Sequence, residues 1–190
     1  MEWKELKQIE RQLILYDIFR TNDEDTRLST IRYHLPGINI RTLQRDINDL
    51  MDAELIQVYY SRDIGAYINY IDDRDFSCYP EGIQKRIAEK RKETVTKKEL
   101  STKKQEHIKR LKRLAELMCS EVYEKADEYY FSLFPDATER MRKHDFEILR
   151  HIGIYAGYDR GVGDYVIYRM EGYDIYNDYG VRYREGKMMY

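Results

Sequence analysis

A chain of 190 residues can bury a real core and is long enough for one domain or two small ones. With 42% hydrophobic and 36% charged residues it reads as a water-soluble globular chain rich in helices with solvated faces. No stretch approaches the roughly eighteen apolar residues of a membrane span, the amino terminus MEWKELKQIERQLILY is charged and amphipathic, unlike a secretory leader, and Cys78 and Cys119 lack the spacing of a disulfide framework or a zinc site. A cytoplasmic protein is expected, with no membrane partner.

From Leu6 to Phe19, apolar residues recur at Leu6, Ile9, Leu13 and Tyr16, a helical stripe reinforced by Leu15, Ile18 and Phe19. The polar run TNDED breaks it, and a brief second helix carries Leu28, Ile31 and Leu35 on one face before Pro36-Gly37 stops it. Asn39 is a good N-cap for a third helix with Leu43, Ile47, Leu50 and Met51 turned inward, ending near Glu54. LIQVYYSRDIGAYINYI then reads as a hairpin turning at Asp63 and Gly65. Three helices and a hairpin make a winged helix. Residues 72–104, with Pro80, a Ser/Thr/Lys-rich patch and few core-sized residues, read as a basic, partly helical linker.

The second half repeats the first with an offset of 99 residues. Ile9 and Arg11 become Ile108 and Arg110, Leu35-Pro36 becomes Phe134-Pro135, and the cap Asn39 becomes Thr138. Arg41, Asp46, Ile47 and Leu50 become Arg140, Asp145, Phe146 and Leu149, and a second hairpin, YAGYDRGVGDYVIY, closes the series. The expected fold is therefore mainly α with small β-hairpin wings: a winged helix-turn-helix over 1–71, the linker over 72–104, and a second winged-helix-like domain over 105–190. The latter ends in a Tyr-rich tail with a small hairpin around Glu185-Gly186.

Placing Leu43, Ile47 and Leu50 inward at about 100° per residue sends Arg41, Arg45, Asn48 and Asp52 outward, with Thr42 and Gln44 on the flanks. In a helix-turn-helix the second helix of the motif enters the major groove and its first outward residues meet base edges. Arginine pairs bidentately with guanine and glutamine with adenine, while threonine and the helix N-terminus can hold phosphate. Arg62 and Arg160, in the two hairpin turns, have the reach for phosphate or a minor groove, although exposed turn arginines also occur without partners.

INIRTLQRDINDLMDAELIQV resembles the helix-turn-helix of DeoR-like transcriptional regulators, above all those at the N-terminus of WYL-domain proteins. Arg41-Thr42-Leu43-Gln44-Arg45-Asp46 matches that family's R-T-[IL]-x-R-D signature. The similarity spans about residues 5 to 70 and implies a recognition helix from Ile40 to Ala53 and a DNA-contacting wing. The chain departs from the family pattern at Asn39, usually Ser, and at Glu54, usually Gly. Nothing after residue 70 resembles a WYL effector domain, so the resemblance implies no ligand.

The second copy is more divergent. Arg142 replaces the inward Leu43 and His144 replaces Arg45, so its first turn is expected to be misaligned or remodelled; Arg140, Lys143 and His144 are open to DNA contact, with bracing or dimerisation an equal alternative. Asp46 and Asp145 are expected to be buried and paired within their own domains. The net charge of −2 is segregated, with thirteen Lys and Arg against four Glu between Lys85 and Arg113. Lys97, Lys98, Lys103 and Lys104 in that stretch are expected to add non-specific phosphate affinity, with a solvated linker helix as an equal alternative. Stacking of bases on some of the nineteen tyrosines is the lesser reading beside core formation.

No Gly-rich phosphate loop, HExxH, GxSxG or CxxC pair occurs, and His34, His107, His144 and His151 are not spaced as a ligand set. The expected function is sequence-specific recognition of double-stranded DNA by a transcriptional regulator with no enzymatic activity and no cofactor, with room for a homodimer. A plasmid or phage replication initiator with tandem winged helices, or a protein-interaction module, are the alternatives.

Overall fold

The computed structural model describes residues 6–21, 26–70, 75–92, 100–122 and 125–169. The chain is mainly helical with small antiparallel hairpins. In order it runs α1 (Gln8–Thr21), β1 (Thr26–Arg27), α2 (Leu28–His34), α3 (Ile40–Asp52), β2 (Val58–Ser61), β3 (Ala66–Asn69), α4 (Glu81–Lys92), α5 (Thr102–Cys119), α6 (Ala126–Leu133), α7 (Glu139–His151), β4 (Ile154–Asp159) and β5 (Asp164–Arg169). None of the described helices is long and apolar enough to cross a membrane. The hairpin expected around Glu185-Gly186 lies outside the described residues.

Two compact units form. One is Leu15–Lys109; the other combines Met1–Ile14 with Arg110–Tyr190. These bounds differ from a division at the ends of residues 72–104, because α1 and α5 each contribute residues to both units.

In the Leu15–Lys109 unit, the inward stripe of α3 (Leu43, Ile47, Leu50) is buried with Leu15, Ile18, Phe19, Ile31 and Leu35. The hairpin β2–β3 pairs Tyr60 with Tyr67 and Ser61 with Ala66, and β1 adds a third strand against β3 through Thr26 opposite Tyr67. Phe19 meets the Tyr67 ring edge-on at 5.7 Å. The segment expected to be a linker is partly core. Ile83 and Ile87 of α4 are buried with Ile68 and Tyr70, and Phe76 and Tyr79 pack against them. Arg91 fastens the same helix, its Nε donating to the Tyr70 carbonyl at 3.3 Å and its guanidinium lying over Phe76.

In the other unit, α6, α7 and the β4–β5 hairpin take the corresponding places. Tyr130, Phe146, Leu149, Ile154, Val166 and Ile167 are buried with Leu111 and Leu114. Val122 bridges Ile167 by a reciprocal pair of backbone hydrogen bonds, a reduced version of β1. Both α3 and α7 are 13 residues long, and their start points lie 99 residues apart. The turn after each helix uses a left-handed residue, Glu54 at φ 60° and Gly153 at φ 88°.

Candidate nucleic-acid interface

The outward face of α3 is set by its cap and its buried stripe. Asn39 accepts a hydrogen bond from the Arg41 amide at 2.8 Å, fixing where the helix begins. Asp46, also on the inner side, is fully buried. Among the α3 residues left facing solvent are Arg41, Gln44, Arg45 and Asn48, with Thr42 half-buried. Arg62 is exposed in the β2–β3 turn. All six are therefore available to a ligand within one unit.

Three features here escape sequence reasoning. Ile40 stands exposed at the first turn of α3, an apolar group of the kind that meets a thymine methyl. Tyr33, on α2, is 68% exposed, with Arg32 exposed beside it. Lys104 is not a free linker charge. Its ammonium pairs with Asp49, which is buried, and lies 3.5 Å from Asp52. Burial, and then the nearby Arg45 guanidinium, pull the Lys104 ammonium below its ordinary value, while burial pushes the Asp52 carboxyl up. The consequence for α3 is electrostatic: Lys104 offsets part of the charge of its two C-terminal carboxylates from within the protein, while Arg41 and Arg45 stand exposed toward the start of the helix. Lys103 is exposed, whereas Lys97 and Lys98 lie outside the described residues.

The first turn of α7 is neither misaligned nor remodelled. Thr138 caps it, accepting from the Met141 amide at 3.3 Å, and Arg142 takes the inward place held by Leu43 in α3. Only 3% of Arg142 is exposed; its guanidinium pairs with Asp127 of α6 and Glu139, and packs over the rings of Phe146 and Tyr165. Burial opposes its charge, but the hydrogen bond to Glu139 and the attraction of Asp127 outweigh it and raise its affinity for the proton. The same hydrogen bond holds the Glu139 carboxyl low. Asp145 is likewise buried and accepts from Tyr130 Oη at 2.8 Å and Arg113 Nε at 2.6 Å, with Arg110 at 3.6 Å. Arg140, Lys143 and His144 are exposed on α7, and Arg160 is exposed in the β4–β5 turn.

His151 Nδ1 lies 3.1 Å from Glu10 and His144 Nδ1 lies 3.6 Å from Glu147. Among the described residues no three His, Cys, Asp or Glu side chains group as metal ligands. Cys78 and Cys119 are exposed thiols. No protein-family model, curated protein or solved structure matches the chain.

Proposed function

We propose that this protein is a transcriptional regulator that binds double-stranded DNA in a sequence-specific way, acting by recognition and not by catalysis, with α1–β3 forming a winged helix-turn-helix and α3 its reading helix. The observation that carries the proposal is the sorting of side chains on α3. Leu43, Ile47 and Leu50 are buried, and Arg41, Gln44, Arg45 and Asn48 stand exposed on a capped helix that follows a short helix and precedes a hairpin. Arginine matches guanine O6 and N7, and the carboxamides of Gln44 and Asn48 match adenine N6 and N7. Partial compensation of Asp49 and Asp52 by Lys104 lowers their repulsion of a phosphate backbone. Arg62, at the tip of the hairpin, suits phosphate.

The test is binding of the full chain to a duplex selected from a random library and to its scrambled counterpart, across a salt series. Arg45→Ala should cost on the order of 1 to 3 kcal/mol on the selected duplex and relax one base position. The scrambled duplex should lose only what one cation contributes. An equal loss on both duplexes overturns base reading by α3.

A further inference from the structure

We infer that α7 is a second base-reading surface with a specificity different from that of α3, so that a single chain recognises a bipartite, non-palindromic duplex whose second part is built of G·C pairs. This rests on the DNA-binding reading of α3 and extends it to the other unit.

The register of α7 is the first support. The Thr138 cap sets its start, and Arg142, Phe146 and Leu149 occupy the buried stripe that Leu43, Ile47 and Leu50 occupy in α3. Asp145 is anchored inward by Tyr130 and Arg113. Rotation of the helix about its axis would bury a different set and break these pairs. Arg140, Lys143, His144 and Glu147 are therefore held outward in the places of Arg41, Gln44, Arg45 and Asn48.

Chemistry supplies the specificity. The α3 face has two carboxamides, and a carboxamide both donates and accepts, which is what adenine's N6 and N7 require. The α7 face has none. Lys143 stands where α3 has Gln44, and Glu147 where it has Asn48. Arg140 and Lys143 are pure donors and meet the two acceptors of guanine; Glu147 is a pure acceptor and meets the cytosine N4 amine. His144 Nδ1 lies 3.6 Å from Glu147.

The face is also mainly basic. Arg140, Met141, Lys143, His144, Glu147 and Arg150 border an open concavity. The large exposed apolar side chains among the described residues, Tyr33, Ile40, Tyr60, Tyr158 and Val162, all lie off α7. A stable protein interface needs an apolar centre. Three cations, Arg140, Lys143 and Arg150, against the one carboxylate of Glu147 fit a polyanion.

The experiment is random-duplex selection with the full chain and with Arg45→Ala, the double variant Arg140→Ala with Lys143→Ala, and Lys143→Gln. The native protein should select two dissimilar blocks. The double variant should lose only the G·C block, weakening binding to the native site by about ten- to a hundredfold, and Arg45→Ala should degrade only the other block. Lys143→Gln should move one selected position from guanine to adenine, a readout that no bracing role for α7 would move. Retention of both blocks by the double variant, or a single native block that only Arg45→Ala degrades, overturns the second reading surface and leaves α3 as the reader. Recovery of no consensus by the native chain overturns both. The substituted side chains are exposed, so an unchanged thermal unfolding midpoint separates lost recognition from lost folding.

Discussion

Tyr130 stands where the first copy has Ile31, buried and with its ring edge-on to Phe131, Phe134 and Phe146 at 5.3–5.8 Å. A phenol at such a place must spend its proton on an internal acceptor, and Asp145 is that acceptor. Burial first, then the hydrogen bond to Asp145, push the phenol well above its ordinary value. A folded value raised above the unfolded one gives stability that is whole below about pH 10 and is lost as pH rises toward the folded value. Tyr130→Phe should cost about 1.5 to 3 kcal/mol at pH 7. The gap between the two proteins in urea unfolding should then narrow above pH 10; a gap that stays constant to pH 12 would exclude the phenol's titration as its source. At this scale, reading the sequence worked for residues whose place follows from helical period alone, such as Arg41, Arg45 and the buried Asp46. It did not work for Arg142 or Lys104, because an inward charge is intelligible only with its partners, Asp127 fifteen residues away and Asp49 on another helix.

The turns that end α3 and α7 ask the same thing of different residues. Glu54 sits at φ 60°, where a side chain costs on the order of 1 kcal/mol, and Gly153 sits at φ 88° with no such cost. Glu54→Gly should raise stability by up to about 1 kcal/mol, less what the more flexible unfolded chain takes back. Gly153→Ala should lower it by about 1 to 2 kcal/mol. Urea midpoints at constant slope measure both, and a loss on Glu54→Gly would mean that contacts of the glutamate side chain outweigh its backbone strain. The departure at Glu54 was visible in the sequence as the place where glycine is usual. The docking of α4 was not, because Ile83 and Ile87 are the two large apolar residues of a mostly charged helix and their partners, Ile68 and Tyr70, lie in a strand and the residue after it. Strand β1 was equally hidden: two residues carry no alternation to detect.

At the scale of the molecule, the repeat in the sequence reappears as two series of helices and a hairpin, but the units do not divide at the middle of the chain. Leu6–Ile14 belongs with the residues from Arg110 onward, and Leu100–Lys109 belongs with those from Leu15 onward. Expressed separately, residues 1–99 and 100–190 should each lack part of a core, and neither should show the cooperative unfolding of the whole chain. Mixing the two should restore it; independent cooperative transitions in both halves would contradict the assignment of the ends. Arg142 adds an asymmetry in time. An aspartate at 127, in the first turn of α6, is favourable there on its own account, since a helix N-terminus welcomes an anion. An arginine at 142 with no carboxylate beside it would be a buried charge without a counterion. If that place once held a leucine, the aspartate can come first and the arginine only afterwards, and once the arginine is buried the carboxylates that hold it, Asp127 and Glu139, cannot both be lost before it is: the order of loss is the reverse of the order of gain.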